Sequence, residues 1–577
     1  MQKVLKSLKV KKSADPAGLI NELFKPGVAG SDVINSLLIM SNKAKDECEI
    51  PDFVKLSNIT SLYKNRGSKS DLANERGVFS CSSVRSVMDK LVYNDIYDQV
   101  DGNMSDSNVG GRRGRNIRDN LFIINGVINY ALKENIAIDI DLYDIEKCFD
   151  AMWWQETMND MWDVGVQDNK FAMMAKMNQE CSIAVKTPAG ISDRFVLNQI
   201  EMQGTVTGPL KASVQVDTLD RDCYTYSEGM FVYKNCVNIP PLSMCDDIAS
   251  ISRCGIDSIK NNAIINAKIE SKKLQFGPSK CYKIHVGRYS EICCNSKVHN
   301  SIMSKKQHEV YLGEIICSSG TNDKNIANKA NKGVVAVSQI FSSLNQISLG
   351  HYFYEIALTM RDTILVSKMV SSPEIWYHIS NQEYQKLESV DEMFLRRLLS
   401  VPVSVPKEAL YLEFGKISIK NLIKIRRMMY WWHLVNVDKS ELIQKFFTAQ
   451  KLNKSKGDWI YQLEQDKKYL DMNLSDVDIT YYSEDQFRNI VKSRTERFFA
   501  KNLDKLRESH SKTENLKFSG FTPASYILSK NLTTEEVHTL FKLRTRMINV
   551  KTNFGSSDDM WCKNENKTSY KFQKSIP

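Results

Sequence analysis

The sequence predicts an α+β protein in which a mixed core is followed by a helical region. Between about residues 136 and 316, short apolar runs alternate with helical stretches, as in an α+β layer architecture. From about 325 to 447, apolar residues recur at helical spacing, as in IALTMRDTILVSKMV. The chain has 577 residues, of which 42% are hydrophobic, and this is enough for several structural units.

The segments on either side of these regions are less regular. Residues 1 to about 50 predict helices interrupted at Pro16, at Pro26 and in the glycine-containing stretch that follows. A mixed segment then continues to about 135 and contains the polar loop DQVDGNMSDSNVGGRRGRN. The chain after 447 is polar and lysine-rich, with a linker expected near SHSKTENLKFSG.

Charge and cysteine content narrow the class of protein. Lysine and arginine exceed the acidic residues by 78 to 68, which favours a polyanionic partner such as nucleic acid, although many proteins share this balance. The thirteen cysteines include no CxxC pair, and only Cys293 and Cys294 are adjacent, which is typical of reduced intracellular thiols. The chain shows neither a signal peptide nor a membrane-spanning stretch, so we expect a soluble nuclear or cytoplasmic protein.

Two adjacent carboxylates, Asp246 and Asp247, stand in the apolar stretch LSMCDDIAS. Burying one ionised carboxylate beside another is unfavourable unless a cation is bound there. The flanking Leu242, Met244 and Ile248 suit two buried strands joined by a tight turn. A solvated acidic turn remains the alternative at this point.

A third carboxylate lies upstream in IAIDIDLYDIEKCFDAMWW. The front half of this stretch predicts a strand that ends at Asp144, before a helix that begins near Phe149. An aspartate at a strand end and another at a hairpin tip can converge on a shared pair of divalent ions, which stabilise both the attacking and the leaving oxygen of phosphoryl transfer. Oxygen ligands favour Mg²⁺ or Mn²⁺.

Three short motifs occur in a suggestive order: D-x-x-x-x-F-D at 144–150, Q-G-x-x-x-G-P at 203–209, and M-C-D-D at 244–247. Their order and spacing resemble motifs A, B and C of reverse transcriptases. The chain most resembles the polymerase of non-long-terminal-repeat (LINE-type) retrotransposons, over roughly residues 10–550. The resemblance implies a right-hand polymerase fold with fingers, a ferredoxin-like palm and a helical thumb.

The same resemblance implies a division of the chain. We expect an N-terminal helical extension (1–50), fingers (51–135), a palm with the catalytic aspartates (136–316), a helical thumb or connector (317–447), and a basic, mostly helical C-terminal region with a disordered tail (448–577). It also implies a truncated product, because no endonuclease segment is evident and Cys562 alone cannot form a zinc knuckle.

In this resemblance Asp144, Asp246 and Asp247 are the catalytic and metal-binding residues, holding two Mg²⁺ or Mn²⁺ ions. The segment INAKIESKKLQFGPSKCYKIHVG resembles motif D, in which a lysine protonates the pyrophosphate leaving group. Lys280 is the match, although three further lysines, at positions 272, 273 and 283, leave the register open.

The substrate-binding residues implied by the resemblance are Lys64 and Arg76 for the triphosphate, Phe149 as a steric gate against ribonucleotides, and Gln203 and Gly204 in motif B. The alternative for Phe149 is an ordinary core side chain. A glycine at position 204 would let the backbone approach a base pair or sugar. The basic pair would use an arginine fork and a lysine point charge.

A glycine-rich segment carries four arginines, and loops of this type contact the template in the resembled family. The candidates for nucleic-acid binding are Arg112, Arg113, Arg115 and Arg118. A solvated basic loop is the alternative.

The resemblance therefore implies an RNA-directed DNA polymerase that extends a DNA primer with dNTPs on an RNA template, without a membrane partner and with the oligomeric state left open. Two alternatives remain. An RNA-dependent RNA polymerase shares the acidic palm, but Phe149 argues against it. A catalytically decayed product that only binds RNA or DNA is favoured by Gly208, where the family usually has serine.

Overall fold

The computed structural model describes residues 1–64, 67–198, 201–226, 230–253, 255–288, 295–347, 349–452, 454, 456–509, 516 and 520–548. The chain forms two compact units, the first comprising Met1–Gly320 with Glu441–Ala449, and the second Thr321–Ser440 with the described part of Gln450–Pro577. Among the described residues, no helix has the length and apolar character needed to cross a membrane. Most of the linker expected near 509–520, the expected disordered tail beyond 548, and Cys293, Cys294 and Cys562 lie outside the described residues.

All strands of the described chain belong to the first unit. They are β1 (Leu56–Tyr63), β2 (Glu75–Cys81), β3 (Ile138–Asp144), β4 (Cys181–Thr187), β5 (Gly190–Ile191), β6 (Phe195–Leu197), β7 (Phe231–Tyr233), β8 (Val237–Ile239), β9 (Leu242–Met244), β10 (Asp247–Arg253), β11 (Tyr282–Val286), β12 (Lys297–Val298), β13 (Ser301–Ile302), β14 (Ser304–Lys306), β15 (His308–Tyr311) and β16 (Glu314–Cys317).

The helices divide between the units. The first unit has α1 (Gln2–Ser7), α2 (Ser31–Glu47), α3 (Ser83–Asn103), α4 (Ile117–Lys133), α5 (Cys148–Ala151), α6 (Trp154–Asp163), α7 (Asp168–Lys176), α8 (Gly208–Tyr226), α9 (Ile256–Ser271) and most of α16 (Leu442–Lys451). The second has α10 (Asp323–Gln346), α11 (Phe353–Met360), α12 (Ser367–Met369), α13 (Asn381–Leu399), α14 (Lys407–Glu413), α15 (Ile419–Asn436), α17 (Trp459–Tyr469), α18 (Asp476–Thr480), α19 (Glu484–Ser509) and α20 (Thr534–Arg544).

The central sheet of the first unit has the order β14-β11-β3-β10-β9. Strand β3 lies in the middle and pairs antiparallel with both β10 and β11. Its sequence IDIDLYD is buried up to its last residue, Asp144, which is half-buried. The expected strand ending at Asp144 is therefore confirmed.

One face of this sheet packs on helices α8 and α9. Tyr143 and Ile248, which are cross-strand partners, join a buried cluster with Ala212 and Val216 of α8 and Ile265 of α9. The burial of these side chains provides the main driving force that fixes the sheet against the two helices. Motif A on β3 and the helix of motif B are thus held together by one apolar core.

A second sheet of the first unit has the order β2-β1-β4-β5, with β6 also pairing β4. Strands β1 and β2 form an antiparallel hairpin, while β1 and β4 are parallel. The polar loop expected from residue 98 begins later than the sequence suggested. Helix α3 extends to Asn103, because Val100 is fully buried and holds that turn in the core.

The regular secondary structure in the described residues of the second unit is helical, as the apolar spacing predicted. The tryptophans Trp376, Trp431 and Trp459 are fully buried, so they serve as core. A buried ion pair joins Arg361 and Asp391 at 2.6 Å between the segment after α11 and helix α13.

Candidate active site

The aspartate pair of motif C lies in a tight hairpin. Met244 of β9 pairs with Asp247 of β10, which leaves Cys245 and Asp246 as the two turn residues. Cys245 adopts a positive φ of 55°, as hairpin turns of this length require. The buried strands and tight turn expected from LSMCDDIAS are therefore confirmed.

The hairpin brings motif C beside motif A. Asp247 is the direct cross-strand partner of Asp144 in the β3–β10 register. The carbonyl oxygen of Asp246 accepts a hydrogen bond of 3.2 Å from the backbone N–H of Ile145. The three carboxylates predicted to form the site thus come from the adjoining ends of two paired strands.

The carboxylates repel one another. The pKa of Asp247 is raised to about 6 by burial, and further by the negative charges of Asp246 and Asp144. Burial and the charge of Asp144 also raise the pKa of Asp246, while Lys280 and Arg76 oppose that shift. The site therefore carries negative charge that the neighbouring side chains only partly offset, and a bound cation would stabilise it.

Lys280 is the cation in direct contact with this group. Its ammonium donates a hydrogen bond to Oδ1 of Asp144. The backbone supports this contact, because the N–H of Gly277 donates to the carbonyl oxygen of Asp144 at 3.0 Å and so places the turn that carries Lys280 against the end of β3.

The other three lysines of this segment are engaged elsewhere. Lys272 pairs with Asp160, and the ammonium of Lys273 lies 3.0 Å from the centroid of the Trp153 ring. Lys283 is buried on the other face of β3, 2.9 Å from Asp139. Of the four lysines, Lys280 is thus the one in contact with Asp144, and its assignment to motif D stays a prediction.

The chemistry of the donor set suits a hard divalent cation, because carboxylate oxygens are the ligands that Mg²⁺ and Mn²⁺ prefer. The ligand shell is not assembled, however. Within the described ranges, no group of three His, Cys, Asp or Glu side chains is arranged to hold a metal ion. The ammonium of Lys280 instead neutralises part of Asp144, so a metal ion and Lys280 would compete for the same oxygen.

Packing against a neighbouring strand explains why motif B has a glycine at position 204. Gly204 has a φ of +116°, and a Cβ built there would lie 2.9 Å from the carbonyl oxygen of Phe79 in β2. Next to it, the carbonyl oxygen of Gln203 accepts from the N–H of Phe79 at 3.1 Å. The close approach at Gly204 is thus to a strand of the protein, and the expected approach to a base pair or sugar stays a prediction.

A buried carboxylate that sequence reasoning missed fixes the same loop. Asp89 of α3 accepts hydrogen bonds from the backbone N–H groups of Val206 and Thr207 at 2.5 and 3.2 Å, and from the Thr207 hydroxyl at 2.7 Å. These amides precede helix α8, where N–H groups lack helical partners. The signal available in the sequence was an acidic residue in the apolar run of α3.

An ion pair also joins the two ends of the motif B loop. Lys211 and Glu201 are fully buried and their charged atoms are 2.7 Å apart. Between them, a Cβ at Gly208 would lie 2.8 Å from the Thr205 hydroxyl oxygen. The departure from the family's serine at position 208 therefore occurs where the loop leaves little space for a side chain.

Phe149 lies in the short helix α5, five residues after Asp144, and it is half-buried. It packs on the cluster that contains Tyr143, Cys148 and Met152. One part of its ring thus belongs to the core while the rest stays accessible beside the strand end.

The two basic residues expected on the triphosphate lie on the β1–β2 hairpin. Arg76 is opposite Leu62, is exposed, and lowers the pKa of Asp246 through its charge. Lys64 follows the end of β1, where its N–H donates to the carbonyl oxygen of Asn74 at 2.8 Å. Arg76 is therefore electrostatically coupled to the carboxylates, whereas the observed contact of Lys64 closes the hairpin.

Two of the four arginines expected to bind template serve another purpose. Arg112 is buried, and its guanidinium donates to the Asp101 carboxylate at 2.6 Å and to the Asn108 carbonyl oxygen at 3.1 Å. Arg115 lies between Asp106 and Glu441, at 3.0 and 3.1 Å. Because their donors are committed inside the protein, these two residues brace the loop, and the expectation that they contact template phosphates is corrected.

The other two arginines remain accessible. Arg113 is exposed and stacks on Tyr97, with the guanidinium carbon 4.1 Å from the ring centroid. Arg118 is half-exposed in the first turn of α4. The braced loop itself supports the hairpin that carries Asp246, since the N–H of Val109 donates to the carbonyl oxygen of Ser243 at 3.0 Å.

The stretch YLGE forms a second tight hairpin close to β9. Leu312 and Gly313 both have positive φ and join β15 to β16. The hydroxyl of the buried Tyr311 donates to the carbonyl oxygen of Leu242 at 3.0 Å. Tyr311 is thus a packing residue.

These elements define a mixed α/β protein with an acidic site at the ends of two antiparallel strands. No protein-family model and no curated protein matches the chain. Among solved structures it is similar to apo telomerase from Candida Tropicalis truncated from the C-terminal domain, at 12% identity and a TM-score of 0.34. The similar region covers 50% of this chain and 59% of that chain. A likeness of this size does not indicate a function.

Proposed function

We propose that the chain is an RNA-directed DNA polymerase of the non-long-terminal-repeat retrotransposon type. The observation that carries the proposal is the direct cross-strand pairing of Asp144 with Asp247, beside Asp246 in the hairpin turn. Three carboxylates from motifs A and C at one strand end supply the type of ligand that two-metal phosphoryl transfer uses.

In this proposal Asp144, Asp246 and Asp247 hold two Mg²⁺ or Mn²⁺ ions. When bound, the ions supply Lewis-acid stabilisation of the attacking 3′-oxygen of the primer and of the leaving pyrophosphate. The carboxylates must be ionised to bind them, and the raised pKa of Asp247 makes this a condition on pH. Arg76, which already acts electrostatically on Asp246, contributes positive charge for the triphosphate.

Lys280 is the proton donor of this proposal. Its ammonium is hydrogen-bonded to Asp144 and therefore stands at the acidic site. From there it would donate a proton to the leaving pyrophosphate.

Template and primer binding are assigned to the accessible basic residues. Arg113 and Arg118 remain exposed or half-exposed at the loop before α4, and guanidinium groups are suited to phosphate oxygens. Phe149, with its accessible edge five residues after Asp144, acts as the gate that excludes a 2′-hydroxyl.

A second candidate function is nucleic-acid binding without catalysis. Two observations favour it: no ready ligand group of three side chains exists among the described residues, and Lys280 neutralises Asp144. An RNA-dependent RNA polymerase is the third candidate, and the aromatic side chain at 149 is the feature that disfavours it.

A primer-extension assay on a defined RNA template separates these functions. The purified chain is given Mg²⁺ or Mn²⁺ with either dNTPs or ribonucleotides, and a chelator is the control. We expect extension with dNTPs that the chelator abolishes. Binding of the primer–template without extension would leave the non-catalytic function, and preferential use of ribonucleotides would assign an RNA polymerase.

A further inference from the structure

The second unit contains a cavity of about 580 Å³ that the proposed polymerisation does not use. Its lining comes from helices α13, α14, α15 and α19, with Tyr469 from the end of α17. The volume lies in the range of about 300–1,000 Å³ that is usual for small-molecule sites. All lining residues belong to the second unit, so the cavity is a feature of that unit alone.

Three aromatic rings form one wall. The rings of Tyr469 and Phe498 have centroids 4.2 Å apart and are tilted by 39°, and Phe499 meets Phe498 edge to face at 6.3 Å. All three side chains are half-buried, so each keeps accessible ring surface. Such surfaces stack nucleobases regardless of sequence.

The charges of the lining match a single phosphodiester. Lys407, Lys420 and Lys505 stand against Glu388 and Glu408, which leaves one net positive charge. Lys407 is paired with Glu388 at 2.8 Å, so the remaining positive charge falls to the other lysines. A phosphodiester carries one negative charge per nucleotide, whereas a triphosphate carries several and would meet the glutamates.

One buried polar atom of the lining calls for a donor. The side-chain nitrogen of Asn421 donates to the Ser418 hydroxyl at 3.0 Å. Its Oδ1 is buried and has no hydrogen-bond partner among the described residues. Such atoms are uncommon in native proteins and call for an unseen partner. The exocyclic amino groups of cytosine and adenine are donors, while uracil has a carbonyl at the equivalent position.

We propose that this cavity binds one unpaired nucleotide of a nucleic-acid single strand, with a preference for bases that carry an amino group. The rings stack the base, Asn421 accepts from its amino group, and the lysines neutralise the adjoining phosphate. The site does not depend on polymerisation, because none of its residues belongs to the acidic site.

The proposal is tested on the whole chain in the presence of a chelator, so that the result is independent of any catalysis. Binding of short single-stranded RNAs is measured by fluorescence anisotropy. The probes differ at one position, cytosine or uracil, because the two bases have the same ring size. We expect the cytosine strand to bind about 2- to 12-fold more tightly, the value of one net hydrogen bond.

Two variants assign the binding to the cavity. Phe498→Ala should weaken binding about 5- to 150-fold through lost stacking. Phe353→Ala is the matched control, since Phe353 is a half-buried aromatic residue of the same unit outside the lining and should leave binding unchanged. Asn421→Leu should abolish the preference for cytosine. If this variant fails to fold, the comparison of Phe498→Ala with Phe353→Ala still tests whether the strand binds in the cavity.

Three results would overturn the proposal: equal weakening by both phenylalanine variants, equal binding of the cytosine and uracil strands, or no effect of Phe498→Ala. A final arm adds cytidine monophosphate as a competitor. A strand that binds more tightly than the free nucleotide supports the charge argument, and the reverse order contradicts it.

Discussion

The ammonium of Lys280 is bonded to Oδ1 of Asp144, a residue that precedes it by 136 positions. The contact gives the acidic site an internal counter-ion before any metal is present. It also connects the general-acid candidate directly to the principal carboxylate, and the predictions below begin from it.

Replacing Lys280 with methionine removes this counter-ion and the proton donor together. We expect primer extension to fall by about 10²-fold or more, as for loss of a general acid. Because Lys280 lowers the pKa of Asp247, its loss should move the acid limb of the pH profile to higher pH. The Mg²⁺ concentration needed for half-maximal activity should fall, since the ion no longer competes with an ammonium.

The matched control for that experiment is Lys273→Met, which removes a nearby lysine that lies over the Trp153 ring. It should leave kcat and the acid limb unchanged. Equal losses in the two variants would show that the effect is general charge removal, and the role assigned to Lys280 would be wrong.

Asp247 should be a carboxylate that costs stability in the free protein. Its pKa is raised to about 6 when folded, so above the unfolded value near 3.8 the folded state is progressively penalised as pH rises to about 6. Asp247→Asn should therefore raise the free energy of unfolding of the metal-free chain by about 1–3 kcal/mol at pH 8, allowing for solvent screening. The gain should disappear below about pH 4.

Urea unfolding at the two pH values, with a chelator, measures this change. The same variant should lose primer extension, so that stability and activity move in opposite directions. A gain that is the same at both pH values, or a loss of stability at pH 8, would contradict the electrostatic account of the site.

Phe149→Val tests the gate. A shorter side chain removes the expected clash with a 2′-hydroxyl, and discrimination against ribonucleotides should fall by about 10-fold or more. The comparison is the ratio of kcat/KM for a dNTP and its ribonucleotide. Met152→Leu, a change of similar volume in the same cluster, should keep the ratio. An unchanged ratio in Phe149→Val would show that Phe149 is only a core residue and does not act as a gate.

Asp89→Asn tests the anchor of the motif B loop. The change turns one carboxylate oxygen into a donor that faces the amides of Val206 and Thr207. We expect KM for dNTPs to rise by about 5-fold or more, because a misplaced loop loses interactions of about 1–3 kcal/mol. The Asp144 side of the site should be little affected, so kcat should change less.

Asp15→Asn serves as the comparison, since Asp15 also accepts from backbone N–H groups, those of Leu19 and Ser83, without touching the loop. It should change stability and leave KM alone. A similar rise in KM in both variants would mean that Asp89 acts only through overall stability.

Local patterns predicted the elements of the site well. The strand ending at Asp144 and the hairpin at Asp246 followed from apolar runs broken by carboxylates, and both are present. Such features depend on neighbours in sequence, where propensity and periodicity act. The helix expected near Phe149 begins at Cys148, within one residue of expectation.

The sequence did not predict which charged side chains would be paired with other groups inside the protein. Arg112 looked like its neighbour Arg113, but Asp101 and Asn108 occupy its guanidinium while Arg113 stays exposed. The partners of Asp89 could not be predicted for the same reason, because they lie 117 and 118 positions away. Pairings of this kind depend on tertiary contacts that periodicity does not contain.

The most direct test of the central claim is primer extension by Asp144→Ala beside Asp150→Ala, with dNTPs and Mg²⁺ on an RNA template. Asp150 is an exposed carboxylate six residues further along the chain. Both variants therefore lose one negative charge, but only Asp144→Ala changes the residue that pairs with Asp247. The account predicts that Asp144→Ala binds primer–template normally and adds no nucleotides, while Asp150→Ala extends like the parent. Extension by Asp144→Ala at the parental rate would contradict it.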